Sequence, residues 1–285
     1  MDKVKLWVRT PNVHELLVHK VAELADLYGP RDLEFELIDG VGKDQGRPDM
    51  DITIGMGDAL LSRLTRRIPW RTTIVYNHYP LFWLYTRNSV TLKDLGGRTV
   101  ITRPAYCGAT AFLMVALRRR GLERDRDYKL EEHVTDAEIY GRLLDDQPDA
   151  VMLGTGVCPY RLPEDGYQSA MFLGSEVPWS ATGLAVKPSF PTALLGPLVA
   201  THQAALKVVH ANEDLAVEAI MALESAWSHE HSVRFYHEYI QPYFTADGWP
   251  QPELVAPTLR DVAGLLNLQP GSEPSVDDIF DTRWL

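Results

Sequence analysis

Val4–Val8 alternates apolar and polar side chains, the period-two pattern of a strand. Behind it Val13, Leu16, Leu17, Val21, Leu24 and Ala25 recur at helical spacing, with Asn12 placed as an N-cap and Glu15 three residues on. Gly29-Pro30 ends that helix, and Leu33–Ile38 alternates again as a second strand. A short apolar run, Asp51–Ile54, closes on Gly55-Met56-Gly57-Asp58 and opens a helix from Ala59 to about Arg67. Arg71–Tyr76 and Leu81–Thr86 are two more strand-like runs.

The pattern then starts afresh. Leu92–Gly97 is a polar turn, Thr99–Thr102 a strand, and Gly108–Arg120 a helix stopped by Gly121. Lys129–His133 reads as a strand, and Thr135-Asp136-Ala137-Glu138 as a capping box before Ile139–Leu144. Ala150–Leu153, Gln168–Leu173 and Gly183–Val186 are further strands. Beyond Pro191 the pattern is helical: Ala193–His210, Leu215–Trp227, Val233–Tyr239 and Leu254–Leu265.

Two blocks of alternating strand and helix predict an α/β protein of two doubly wound, parallel lobes. Ligands bind such sheets outside the carboxyl ends of the strands, so facing lobes would form a cleft. The expected division is 1–90 plus 183–285 for the first lobe and 91–182 for the second, hinged near 88–94 and 180–183.

Charge and composition narrow the partners. With 28 Lys+Arg against 39 Asp+Glu, the chain carries −11 at pH 7, which disfavours a general nucleic-acid or anionic-membrane surface. Arg118-Arg119-Arg120 ends an apolar helix, where cations favour the dipole. No apolar run approaches the ~18–20 residues of a membrane helix. The chain opens on Met1-Asp2-Lys3 without a secretory pattern, so a cytoplasmic protein is expected as encoded, or an envelope protein if a leader has been removed.

Several segments resemble the solute-binding proteins of ABC transporters, in the branch for sulfonates, taurine, nitrate and thiamine pyrimidines. Leu92-Lys93-Asp94-Leu95-Gly96-Gly97-Arg98-Thr99-Val100 is similar to that family's entry into its second lobe. Gly108-Ala109-Thr110 with Ala116–Leu122, Tyr140–Leu144 with Pro148–Val151, Thr182–Val186 and Gln241-Pro242-Tyr243-Phe244 resemble its later segments, in order. Leu27-Tyr28-Gly29 with Leu33–Leu37 resembles its first helix-to-strand step. The resemblance implies the bilobal type 2 periplasmic-binding fold and a small-molecule ligand. A carrier would have an ABC permease as partner, and the chain would be a monomer or weak dimer. Cytoplasmic enzymes share this fold, including decarboxylases, a desulfinase and pyrimidine synthases, and an intracellular sensor is a third reading. The yeast-type synthases' cysteine-rich motif and the desulfinase's Arg-x-Gly-Gly motif are not visible.

Tyr106-Cys107-Gly108-Ala109-Thr110 joins a strand to a helix, where free N–H groups and the dipole attract anions. In resembling binders the ligand's oxygens sit there. Gly57 and Asp58 form the matching turn of the first lobe, and Asn12 and His14 follow its first strand. Asp58 and Glu176 are expected to accept from a ligand donor. Trp179 and Tyr106 lead the candidate aromatic walls, ahead of Tyr160, Trp83, Tyr76 and Tyr79, and His78 is expected at the surface. The expected ligand is a compact, planar or short-chain organic molecule with an acidic or polar end and a hydrogen-bond-donating end, and aromatic acids, amino-sulfonates and aminopyrimidines all fit. Cys107 is the candidate nucleophile of an enzyme, and its turn could lie beside that of Cys158. His229, His231 and His237 lack a metal-binding spacing, and neither metal nor cofactor is expected.

Overall fold

The computed structural model describes residues 2–8, 11–29, 33–39, 51–65, 68–269, 271 and 273–285. Two sheets of five strands organise the chain. The first contains β1 (Asp2–Val8), β2 (Leu33–Asp39), β3 (Ile52–Gly55) and β4 (Arg71–Asn77), joined by α1 (Val13–Leu24) and α2 (Met56–Leu64). The second contains β5 (Trp83–Arg87), β6 (Arg98–Thr102), β7 (Tyr128–Glu132), β8 (Ala150–Leu153) and β9 (Tyr167–Phe172), with α3 (Gly108–Arg119) and α4 (Asp136–Asp146) between its strands. After α5 (Leu173–Glu176) the chain returns as β10 (Thr182–Val186) to the first sheet. The orders are β2-β1-β3-β10-β4 and β7-β6-β8-β5-β9.

The sheets are mixed rather than parallel. β1 pairs parallel with β2 and β3, and β6 parallel with β7 and β8. The strands that follow each crossing run antiparallel: β10 to β3 and β4, and β5 to β8 and β9. β5 thus belongs to the second sheet, and the first crossing lies at residues 78–82, upstream of the expected 88–94. The return at 177–181 lies beside it, with Trp179 N–H donating to His78 O and Ala181 N–H to Asn77 O, each at 2.8 Å. The two crossings therefore run side by side, joined by backbone hydrogen bonds donated from the return segment.

Local signals explain most element ends. Asn12 caps α1 by accepting from Glu15 N at 3.1 Å, and Thr135 with Glu138 forms a complete capping box on α4. Gly121 takes φ +80° just beyond α3, a conformation open to glycine without a Cβ penalty. The C-terminal third is helical: α6 (Thr192–Ala211), α7 (Glu213–Leu223), α8 (His229–Phe235), a π-helical turn over Tyr236–Ile240, α9 (Gln241–Tyr243), α10 (Pro252–Leu265) and α11 (Val276–Ile279). It reaches both lobes. α10 packs on α3, with Arg119 paired to Asp261 at 2.5 Å, whereas α6 and α7 pack on α1.

Apolar burial also runs through both lobes. One continuous cluster joins Leu6 and Leu17 of the first lobe to Ile139 and Val151 of the second. The other joins Met56 and Leu60 to Leu84 and Phe112. A buried polar chain ties α1, α6 and β4 together: His19 Nδ1 lies 2.7 Å from Tyr28 Oη, and Tyr28 Oη lies 2.9 Å from His202 Nε2. His202 Nδ1 meets Tyr76 Oη, whose ring stacks on the imidazole. Burial holds the His202 pKa well below its ordinary value, so the ring is neutral and one nitrogen donates while the other accepts.

Candidate functional site

Between the lobes lies a cavity of about 30 Å³, room for one or two water molecules. The starts of three helices converge on it. α1 presents His14 and Glu15, α2 presents Gly55, Gly57 and Asp58, and α3 presents Cys107, Gly108 and Ala109. The N-caps of α2 and α3, Gly55 and Cys107, make no side-chain capping bond. Helix starts carry unsatisfied N–H donors and the positive end of the dipole, so the cavity attracts negative charge.

The protein supplies that charge itself. Asp58 Oδ1 of the first lobe accepts from Gly108 N of the second at 2.7 Å. The approach requires two glycines. A Cβ on Gly108 would stand 2.5 Å from the Gly57 carbonyl carbon, and one on Gly57 would stand 2.9 Å from the Phe112 ring. The reciprocal contact lies at α1, where His14 N donates to Thr155 Oγ1 of the second lobe at 2.9 Å. The Thr155 hydroxyl in turn donates to Asn12 Oδ1 at 3.0 Å. Each lobe therefore uses a side chain to satisfy a helix start of the other.

Arg103 supplies a fixed cation on the cavity wall. It follows β6, is 2% exposed, and pairs with Asp136 at 2.8 Å; its Nε also donates to Asp136 Oδ1 at 3.1 Å. Burial opposes its charge, but the charges of Asp136, Glu15 and Cys107 outweigh that cost and raise its pKa above the arginine norm. Phe82, from the first crossing, lies between two cavity groups: the Arg103 guanidinium 4.9 Å from its centroid and the His14 ring edge-on at 5.6 Å. Burial, with the Arg103 charge second, pushes the His14 pKa down to about 3, so its imidazole is neutral. His14 Nε2 is buried without a hydrogen-bond partner among the described residues.

Of the residues expected from sequence, Gly57, Asp58, Cys107, Gly108 and Ala109 line this cavity together with His14. Asn12 stands behind it as the α1 cap. Four others are placed elsewhere. Thr110 turns inward and donates to Arg103 O at 2.8 Å, because helical periodicity carries the third residue of α3 away from the cleft. Glu176 pairs with Arg120 at 2.6 Å on the flank of α3, drawn there by the basic end of that helix. Trp179 is 1% exposed and packs in the core near Phe112, and Tyr106 is 47% exposed outside the cavity lining. The aromatic walls are instead Phe82 and Phe112. Tyr76 belongs to the His202 chain, Trp83 stacks on Phe172 at 5.4 Å, and Tyr160 donates to Glu238 at 2.9 Å. His78 is buried rather than at the surface, 3.2 Å from Trp249 O.

Arg103, Glu15, Phe82 and Phe112 were not among the expected site residues. Arg103 had a signal, a cation directly after a strand at its carboxyl end. Glu15 carried the signature of a helix cap, which masked its place in the cavity. Neither cysteine forms a disulfide; Cys158 Sγ lies 3.5 Å from His231 Nδ1.

No protein-family profile matches the chain, and no curated protein matches it. Solved structures do. A protein from Bordetella bronchiseptica RB50 superposes with a TM-score of 0.80 at 15% identity, covering 100% of this chain and 96% of that one. The alkanesulfonate-binding protein SsuA from Xanthomonas axonopodis pv. citri, solved bound to MOPS, gives 0.77 at 12% identity, with 98% of each chain covered. The desulfurization enzyme DSZB gives 0.70 at 12% identity, covering 100% of this chain and 97% of that one. Binding proteins and an enzyme thus share the architecture. With its two mixed sheets, paired crossings and cleft between the lobes, the chain has the periplasmic-binding-protein fold.

Proposed function

We propose that the protein binds a small organic acid, a sulfonate or carboxylate, between its lobes, as the ligand-binding component of an ABC importer does. The observation that supports this is the convergence of three helix starts and Arg103 on one interlobe cavity. A cavity of about 30 Å³ is too small for such a molecule, so binding requires the lobes to part. Parting withdraws Asp58 from Gly108 N and offers that donor, with the start of α3, to the ligand's acidic group. Arg103 remains charged and fixed by Asp136 while this happens. His14 Nε2 and Phe82 then face the rest of the ligand.

A thermal-shift series with taurine, methanesulfonate, benzoate and a neutral aminopyrimidine tests the reading. An acid that binds the folded protein raises the melting temperature with concentration. Gly108→Val crowds the Gly108 N–H and the start of α3, where the acidic group would be seated, with a branched side chain and should abolish that shift. If no acid stabilises the protein, or Gly108→Val responds as the parent does, the reading fails.

A second reading, catalysis, is favoured by one feature: the Cys107 thiol shares the cavity with a neutral imidazole and a guanidinium. Those group types serve thiol nucleophiles. Incubation with any acid that binds, followed by mass spectrometry, separates the readings. A product that disappears in Cys107→Ser favours the enzyme, and unchanged ligand favours the carrier.

A further inference from the structure

A second cavity, of about 240 Å³, opens at the far end of the first lobe's sheet. Ala181 lines the cleft and Val186, at the end of β10, lines this cavity. β4 spans the same interval from Asn77 to Arg71, about 20 Å at strand rise. Among the described residues four cations line it, Arg63, Arg71, Lys187 and Arg283, against one carboxylate, Asp281. Such an excess of positive charge is unexpected in a chain of net charge −11.

The carboxylates nearby do not neutralise all of it. Asp281 is taken by Arg283, which donates from Nε at 2.7 Å and from Nη2 at 2.6 Å. Arg63 donates to Trp70 O at 2.9 Å, and its Nε is buried without a partner among the described residues. Asp278, which caps α11 together with Ser275, acts on Arg63 and Arg71 only at a distance. Arg71 is exposed at the start of β4, where its backbone pairs with Val186 of β10, and its side chain makes no hydrogen bond or ion pair among the described residues. Burial holds the Arg63 pKa below its norm; Asp278 counters this and the Arg71 charge adds to it. The two guanidiniums thus share a wall on which neither makes an ion pair among the described residues, with Asp278 acting on both and Asp281 on Arg71 only at a distance.

Two further features suit an anion. α6, twenty residues long, begins here at Thr192 behind Pro191, a cap with no side-chain acceptor. A third cavity, of about 530 Å³, adjoins it, shares Arg71, Asp281 and Arg283, and continues over Trp249 and Phe280. We propose that this end of the first lobe is a second binding site, independent of the cleft, for a doubly charged oxyanion on an aromatic or apolar carrier, of the phosphate-monoester class. The oxyanion would lie among Arg63, Arg71 and the start of α6. Guanidinium forks match phosphate oxygens in pairs. The organic part would lie along Trp249 and Phe280.

Calorimetric and thermal-shift titrations with inorganic phosphate and phenyl phosphate, at fixed ionic strength, test this on the whole chain. Saturable binding of both is expected, with phenyl phosphate tighter by about tenfold. Arg71→Ala should weaken each by tenfold or more, and Arg71→Lys, which keeps the charge but not the fork, by less. Gly108→Val, which obstructs the cleft, should leave phosphate binding unchanged, so this site and the cleft reading can fail separately. Stabilisation matched by sodium chloride at equal ionic strength would overturn the proposal. So would affinity that survives Arg71→Ala in a folded protein, or that disappears in Gly108→Val.

Discussion

Asp58 Oδ1 and the Gly108 N–H, 2.7 Å apart, join the two lobes at the point where an acidic ligand would be held. A charge-assisted bond to a helix start is worth about 1.5–3 kcal/mol. Asp58→Asn keeps an acceptor and loses the charge; Asp58→Ala loses both. We expect both variants to populate a more open form, seen as an increased radius of gyration in small-angle scattering. Both should bind organic acids more tightly, Asp58→Ala by about tenfold, because the internal competitor is gone. Weaker acid binding in Asp58→Ala would contradict the exchange.

Gly57 and Gly108 set the closest approach of the lobes. Gly108→Ala puts a Cβ 2.5 Å from the Gly57 carbonyl carbon, too close for backbone to yield locally. The lobes should separate while each keeps its sheet. Scattering should report expansion, and circular dichroism an unchanged secondary-structure content. A compact Gly108→Ala variant would show that the contact is easily relieved.

The Arg103–Asp136 pair, 2% exposed on each side, is costly to break from one end. Arg103→Met leaves a buried carboxylate without its cation and should cost about 3–5 kcal/mol in urea unfolding. The double variant Arg103→Met/Asp136→Leu should recover most of that loss. Acid binding should be lost in both, because the cavity's fixed cation is absent from both.

A buried group and a half-buried one give opposite pH dependence. His14, ordinarily near 6.5 and held at about 3, keeps its neutral form in the fold. The unfolded chain binds more protons between those values, so this contribution is complete above about pH 6.5 and is lost as pH falls toward 3. His78 and His202, also lowered chiefly by burial, act in the same direction. Glu224 is pushed up to about 7, by burial first and the Asp136 charge second, so the folded state holds its proton and stability falls as pH rises from about 4.5 to 7. Glu224→Gln should stabilise the protein by about 1–2 kcal/mol at pH 8 and by nothing at pH 4. His14→Gln should flatten the acid side. Denaturant midpoints across pH 4–8 check both.

The alternation of strand and helix was legible because burial on one or both faces leaves a period in the residues themselves. Ala150–Leu153 and Gly108–Arg119 show it well, and so does the capping box at Thr135–Glu138. Strand direction was not legible, since β5 and β10 have the same local pattern whichever way their neighbours run. The turns carrying Gly57, Asp58 and Gly108 stood out because a strand's carboxyl end meets a helix start there. What no local pattern reveals is contact across lobes. Asp58 reads as an acceptor for a ligand at its own turn, yet its carboxylate meets a helix start fifty residues away. Thr110, Glu176 and Trp179 were drawn to the cleft by proximity in sequence, and their partners at Arg103 O, Arg120 and the Phe112 core are tertiary choices.

The crossed capping of helix starts has a consequence for discrimination. A carboxylate tethered to the opposite lobe competes for the seat at Gly108 at an effective concentration set by geometry, on the order of millimolar or above. Solutes that interact with that seat no better than a carboxylate does would be refused at ordinary concentrations, however abundant their class. Only a molecule that also gains from Arg103, His14 and Phe82 could displace the tethered rival. Asp58 would thus act as an internal reference against which every incoming acid is weighed, and the length and stiffness of the hinge would set how strict that comparison is.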